Sequence, residues 1–220
     1  MAFHGIKAAI VDLDGTMVDT LGDFVVAINH MLRQLSLPAV DRAAVARMVG
    51  KGSGHLIRST LEQVAAPENL YEDAFASYQM HYRAVNGQHA TVYAGVGEGL
   101  QALRQRGLAL ACLTNKPTDF ARALLEMKGL AGYFQHILGG DLFERMKPDP
   151  LPIQKTCEAL GSLPAKTLVI GDSANDAAAA RAAGCPVVLV TYGYNHGEPV
   201  RSVDADAFVD SLDEVPALLL

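Results

Sequence analysis

Asp12 and Asp14 stand two residues apart at the end of an apolar run, followed by Gly15 and Thr16. Side chains two apart on a strand face the same way, so both carboxylates can converge on one point. Held that close they repel, and a hard dication that accepts oxygen ligands removes the repulsion. Gly15 lets the chain turn sharply away. An isolated pair of this kind more often simply ends a strand and begins a turn, so its meaning depends on what the rest of the chain brings.

A second acid-bearing strand end lies far along the sequence. Leu168-Val169-Ile170 leads into Gly171-Asp172-Ser173-Ala174-Asn175-Asp176. Asp172 takes the place that Asp12 takes on the first strand. Asp176, four residues on, falls where a helix begins and where the helix dipole favours an acid. Between the two acidic ends, the run 108–113 finishes in Thr114-Asn115-Lys116. A hydroxyl and N–H groups at a strand end leading into a helix make an anion seat, and also an ordinary helix start. Lys147 stands in Met146-Lys147-Pro148-Asp149-Pro150, where the prolines stiffen the backbone under its charge. Such residues suit the handling of an anion such as phosphate.

These residues need a scaffold that brings distant strand ends together. Apolar runs at 8–13, 108–113, 136–138, 167–170 and 186–190 are each bounded by Gly, Pro, Asp or Asn and predict buried parallel strands. Helical patterns at 97–105, 118–128, 150–160 and 174–183 fall between them. The alternation predicts an α/β, doubly wound, mostly parallel Rossmann-like sheet, whose ligands sit beyond the carboxyl ends of its strands. The first strand breaks the rhythm, because some 75 residues then pass without a convincing strand. They read as helices, with Thr20 and Asp23 as a capping pair ahead of 24–35 and further starts at Asp41 and Pro67. The expected division is a catalytic core of residues 1–16 plus 89–220 and an inserted α-helical cap at 17–88.

Composition narrows the classes. With 220 residues, 50% of them apolar, the chain can bury a sizeable core. The net charge of −6 and the lack of a dense basic run argue against nucleic acid as a partner. An acidic protein acting on an anion must supply positive charge locally, from a metal, a few lysines or backbone N–H groups. Cys112, Cys157 and Cys185 are far apart with no CxxC pair, and no segment approaches the length of a membrane span. A cytoplasmic, reduced protein with no membrane partner is expected. The seven histidines are scattered and none is assigned to metal.

The segments Asp12-Leu13-Asp14-Gly15-Thr16, Thr114-Asn115, Lys147 with its Pro-Asp-Pro, and Gly171-Asp172-Ser173 to Asp176 resemble, in this order, the four motifs of the haloacid dehalogenase superfamily. The helical insert resembles the family's small cap, and Thr191-Tyr192-Gly193-Tyr194-Asn195 resembles a loop of its phosphoglycolate phosphatase branch. The resemblance implies that Asp12 attacks phosphorus to form an aspartyl phosphate, while Asp14 protonates the leaving oxygen and then activates water. It implies Mg2+ held by the Asp12 side chain, the Asp14 backbone carbonyl and Asp172, with Asp176 supporting from behind. Thr114 and Lys147 would hold the phosphoryl oxygens, with Asn115 shaping the same loop.

Specificity then falls to the cap. Gly50-Lys51-Gly52-Ser53-Gly54 is its most flexible-looking segment, with Arg47, Lys51 and Arg58 close by in sequence. Lys51 is the candidate for meeting a carboxylate on the substrate. The segment does not fit a Walker A loop. Among related activities, Asp14 argues against dehalogenation, whereas a sugar-phosphate phosphatase, a phosphosugar mutase and a phosphonate hydrolase using Lys51 as a Schiff base stay open. A non-catalytic module binding a phosphorylated metabolite would have no need of Asp14. The expected partner is a small phosphorylated metabolite, and the sequence does not reveal the oligomeric state.

Overall fold

The computed structural model describes residues 2–220. Its first strand, β1 (Ala8–Val11), is completely buried, and side chains on its two faces enter different helical layers: Ala9 and Val11 one, Ile10 the other. Two short strands follow in sequence, β2 (Val18–Asp19) and, much later, β3 (Thr91–Val92). Four helices lie between them: α1 (Leu21–Gln34), α2 (Arg42–Met48), α3 (Ser53–Gln63) and α4 (Tyr71–Val85). From there strands and helices alternate: α5 (Val96–Gln105), β4 (Ala109–Leu113), α6 (Thr118–Met127), β5 (His136–Leu138), α7 (Leu151–Ala159), β6 (Thr167–Gly171), α8 (Ala174–Ala183), β7 (Val187–Val190) and β8 (Ala207–Val209).

The main sheet has the order β5-β4-β1-β6-β7-β8 and every pairing in it is parallel. This is the doubly wound architecture expected from the apolar runs. Strand β1 sits between β4 and β6, so the carboxyl ends of all three are neighbours. Three strands, β2, β3 and β8, carry no clear signal in the sequence. β8 is half-buried apart from Val209 and its approach, Asp204-Ala205-Asp206, is too polar to read as a run. β2 and β3 are two residues each, too short for a periodic signal, and pair antiparallel with one another. Among the described residues no helix is long and apolar enough to cross a membrane.

The helices between β2 and β3 have a hydrophobic centre of their own. Phe24, Ala27, Ile28, Met31 and Leu32 recur at helical spacing along α1 and pack with Tyr78 and Tyr82 of α4 and Leu56 and Ile57 of α3. Each such large side chain contributes roughly 1.5–3 kcal/mol by leaving water. Asp41 caps α2, accepting the Ala44 N–H at 2.7 Å.

The expected capping pair at Thr20 and Asp23 is corrected. Thr20 makes no capping bond; its hydroxyl donates instead to Asp14 Oδ1 at 2.7 Å. The fully buried Asp23 accepts the N–H groups of Gly87 and His89, both at 2.7 Å, clasping the chain that returns from α4 to the chain that enters α1. At Gly22 a Cβ would collide with the His89 carbonyl, so the two segments approach more closely than any other residue permits. Asp23→Ala leaves one buried and one part-buried N–H group unpaired, at about 1–3 kcal/mol for a buried group. Loss of about 10 °C in Tm is the expected result for a chain of this size, read by calorimetry.

Candidate active site

Three adjacent strand ends build the site. Asp12 extends β1, its N–H still donating to Ile170 O at 2.9 Å, and Asp14 lies two residues on. Thr114 extends β4 with its N–H on Leu138 O at 3.1 Å. Asp172 leaves β6 just before α8, whose start is held by a capping box between Ser173 and Asp176. Gly15 turns the chain at φ 85°, and a Cβ there would strike Asp172 Oδ2. Gly15→Ala is therefore expected to displace a site carboxylate and weaken divalent-metal binding ~10- to 100-fold, read by calorimetric titration.

Lys147 comes from the loop after β5 and is buried. Its Nζ donates to Asp176 Oδ1 at 2.7 Å and to Leu113 O at 3.0 Å. The same Nζ stands 3.0 Å from Asp12 Oδ1, but off the hydrogen-bonding direction, leaving that oxygen buried with no hydrogen-bond partner. Asn115 fixes the lysine in place from both sides of its peptide: Nδ2 donates to Lys147 O at 2.8 Å, and Oδ1 accepts the Lys147 N–H at 3.0 Å. Nδ2 also reaches Gly50 O on the α2–α3 loop at 3.0 Å. Thr114 Oγ1 accepts the Lys116 N–H at 3.2 Å, which leaves its hydroxyl proton for a ligand.

The electrostatics favour a cation. Oxygens of Asp12, Asp172 and Asp176 lie within 4.8 Å of one another. Burial, with Asp176 and Asp14 adding repulsion against the pull of Lys147, raises the Asp12 carboxyl to about 7. Burial and the charges of Asp176 and Asp12 push Asp172 well above the usual carboxylate range. Burial opposes the Lys147 charge, yet Asp12 and Asp176 outweigh it and hold the ammonium above the ordinary lysine range. With all four carboxyls ionised, Asp14 included, against the ammonium groups of Lys147 and Lys116, two negative charges are left, which one dication would balance.

The donor set fits such an ion. Asp12 Oδ1 is ion-paired with Lys147 at 3.0 Å but accepts no hydrogen bond, and Asp172 accepts one bond on each oxygen, from Thr16 Oγ1 at 3.1 Å and the Tyr194 N–H at 2.6 Å. Asp176 is already committed: Oδ1 to Lys147, Oδ2 to the N–H groups of Asp172 and Ser173 and the Ser173 hydroxyl. Its place is to hold Asp172 and Lys147. The Asp14 carboxylate is bonded to Thr20 and Lys116 and is not part of this cluster.

Above these groups lies a cavity of about 30 Å³, lined by Asp12, Asp14, Thr114 and Asn115 below and by Phe24, Leu56, Tyr78 and Tyr82 of the helical insert above. Lys51 is not brought here. Its side chain is exposed, and the loop contributes Gly50, Gly52 and Ser53 to the lining instead. The residue that sequence reasoning missed is Lys116, buried in the cavity wall and paired with Asp14. Its signal was its position directly after Thr114-Asn115 at a strand end.

Comparison with known proteins agrees with this geometry. The family model for haloacid dehalogenase-like hydrolases matches residues 9–190. A phosphoglycolate phosphatase of Thiobacillus denitrificans is 45% identical over 217 residues, 97% of this chain and 96% of that protein. A plasmid-encoded phosphoglycolate phosphatase of Cupriavidus necator is 46% identical over 213 residues, 96% of this chain and 92% of that one. The crystal structure of a predicted phosphoglycolate phosphatase from Haemophilus somnus 129PT matches with a TM-score of 0.91 at 31% identity, covering 97% of this chain and 98% of that one. A carboxylate pair at one strand end, a further acid and a threonine at its two neighbours, and relatives alike over nearly their whole length place the chain in the haloacid dehalogenase-like hydrolase family.

Proposed function

We propose that this phosphoric monoester hydrolase acts on phosphoglycolate, with Asp12 as nucleophile and Mg2+ as its metal. The observation that carries the reading is the Asp12 carboxyl group, which lines a cavity together with Thr114 and Asn115, beside the acids Asp172 and Asp176 and with Oδ1 buried 3.0 Å from the Lys147 ammonium. The substrate follows from the relatives named phosphoglycolate phosphatase.

In the first displacement Asp12 bonds to phosphorus as the bond to the glycolate oxygen breaks, and Asp14 delivers a proton to that oxygen. In the second, Asp14 takes a proton from water as the water oxygen bonds to phosphorus and Asp12 is released. Thr114 supplies its hydroxyl and Lys147 an N–H to the phosphoryl oxygens, where charge spreads as the bonds exchange. Asn115 keeps Lys147 at its station. Mg2+, held by Asp12, the Asp14 carbonyl and Asp172 with Asp176 behind, would screen the nucleophile from the phosphate charge. The helices between β2 and β3, at about residues 17–88, act as the cap over a core of 1–16 plus 89–220. A cavity of about 30 Å³ holds only one or two waters, so the cap must lift to admit substrate.

Three buried free thiols, Cys112, Cys157 and Cys185, fit a reducing cytoplasmic setting. Phosphate release from phosphoglycolate, measured with Mg2+ and again after chelation, tests the reading. Release that ignores chelation, or that favours sugar phosphates over phosphoglycolate, would refute it.

A further inference from the structure

We propose that Lys116, with the Tyr82 hydroxyl, reads the carboxylate of the substrate and makes the enzyme selective for phosphate esters of short hydroxy acids. The inference rests on the hydrolysis of phosphoglycolate at Asp12.

The upper wall of the cavity is apolar and aromatic, made by Phe24, Leu56, Tyr78, Tyr82 and Phe120. One cation is set into it. The Lys116 side chain is 3% exposed; its Nζ donates to Asp14 Oδ1 and lies 4.7 Å from the Phe24 ring centre and 5.1 Å from that of Tyr82. An ammonium carries three N–H donors, and the hydrogen bond to Asp14 uses one of them. The ring faces attract the charge without accepting a strong hydrogen bond. Tyr82 lines the same cavity, and its hydroxyl is buried and has no partner. An unpaired buried hydroxyl costs free energy, so in the wall of a ligand cavity it marks a place kept for an acceptor.

A carboxylate satisfies both groups, with a charge-assisted bond from Lys116 and an O–H···O⁻ bond from Tyr82. A neutral alkyl chain satisfies neither. Neither Lys51 nor any arginine of the helical insert lines the cavity: Arg58 lies 4.2 Å from the Tyr71 ring centre, Arg83 5.4 Å from that of Phe120, and Arg47 and Lys51 are exposed. Discrimination thus originates in the segment that follows Thr114, fixed to the sheet, with the moving helices adding one hydroxyl. A site that hydrogen-bonds a substrate group rejects the analogue lacking it far more strongly than an apolar pocket rejects a missing methylene.

The test measures equilibrium binding of phosphoglycolate and of ethyl phosphate by calorimetry, with Mg2+, in an Asp12→Asn background that cannot turn over. The parent is expected to prefer phosphoglycolate by roughly 10²-fold, the worth of a hydrogen bond to a charged group plus a neutral one. Lys116→Met should bring the two affinities within about fivefold, Tyr82→Phe should reduce the preference about tenfold, and Lys116→Arg should keep most of it. Near-ultraviolet circular dichroism reports whether each variant is folded. Equal weakening of both ligands by Lys116→Met, or identical behaviour of the Met and Arg variants, overturns this assignment and leaves phosphoglycolate as substrate untouched. A parent without preference overturns this inference and the substrate reading together, while phosphatase chemistry at Asp12 stands on wild-type release of phosphate from ethyl phosphate.

Discussion

Asp12→Asn is expected to abolish turnover, lowering kcat by at least ~10⁴-fold, because an amide cannot form the acyl phosphate on which both displacements depend. The same change should leave the metal-free protein at least as stable as the wild type. Asp12 sits among Asp14, Asp172 and Asp176, and burial with this repulsion raises its carboxyl to about 7. A carboxyl raised in the fold contributes stability while protonated and loses it as pH climbs through the folded value. The metal-free wild type should therefore lose stability as pH rises from about 4 to about 7 and level off above, and the Asn variant should lose less. Thermal melts between pH 5 and 9 in chelator check this. A variant that melts far below wild type at pH 8 would show that Asp12 holds the fold together, and inactivity would then say nothing of a nucleophile.

Lys147→Ala has the opposite signature, losing both activity and stability. Removing the ammonium takes a donor from the phosphoryl oxygens, a loss of ~10²- to 10³-fold in kcat. It also strands Asp12 and Asp176, which the lysine holds at 3.0 and 2.7 Å. Breaking a buried ion pair on one side costs about 3–5 kcal/mol, or roughly 10 °C of melting temperature in a chain of this length. Added Mg2+ should restore part of the stability, since it balances the same carboxylates, and little of the rate. Full recovery of rate with Mg2+ would mean that Lys147 only neutralises its neighbours.

Signals carried by one segment were legible in the sequence. The fully buried strands β1, β6 and β7 read as unbroken apolar runs, and Asp12, Thr114 and Asp172 were found because each follows such a run. Pairings across the chain were not legible. Thr20 and Asp23 have the spacing of a helix cap, and nothing local reveals that their partners are Asp14, Gly87 and His89. The loop 50–54 was identified, but its exposed lysine drew attention from the backbone, which is what reaches Asn115 and the cavity. The burial of Lys116 has no local signal, because it depends on Phe24 and Tyr82, contributed by helices distant in sequence. β8 was invisible for a related reason: an edge strand with one buried residue has no apolar run to show.

The clasp at Asp23 has a consequence for how such a chain can be assembled. Holding the ends of ~70 residues together costs roughly 4 kcal/mol in chain entropy by length alone. The segments entering and leaving the helices are joined by β2–β3 pairing, by Asp23 and by the close approach at Gly22, so this closure is made locally. To the sheet, the whole insert is equivalent to a tight hairpin. Exchanging it for the helices of a relative, cut outside β2 and β3, should preserve the folding of the sheet, whereas a transplant cut between Asp23 and Gly87 should not. The same staple limits the insert to swinging as one piece on a double strand, much as a door on a single hinge leaf keeps its edge in register with the frame.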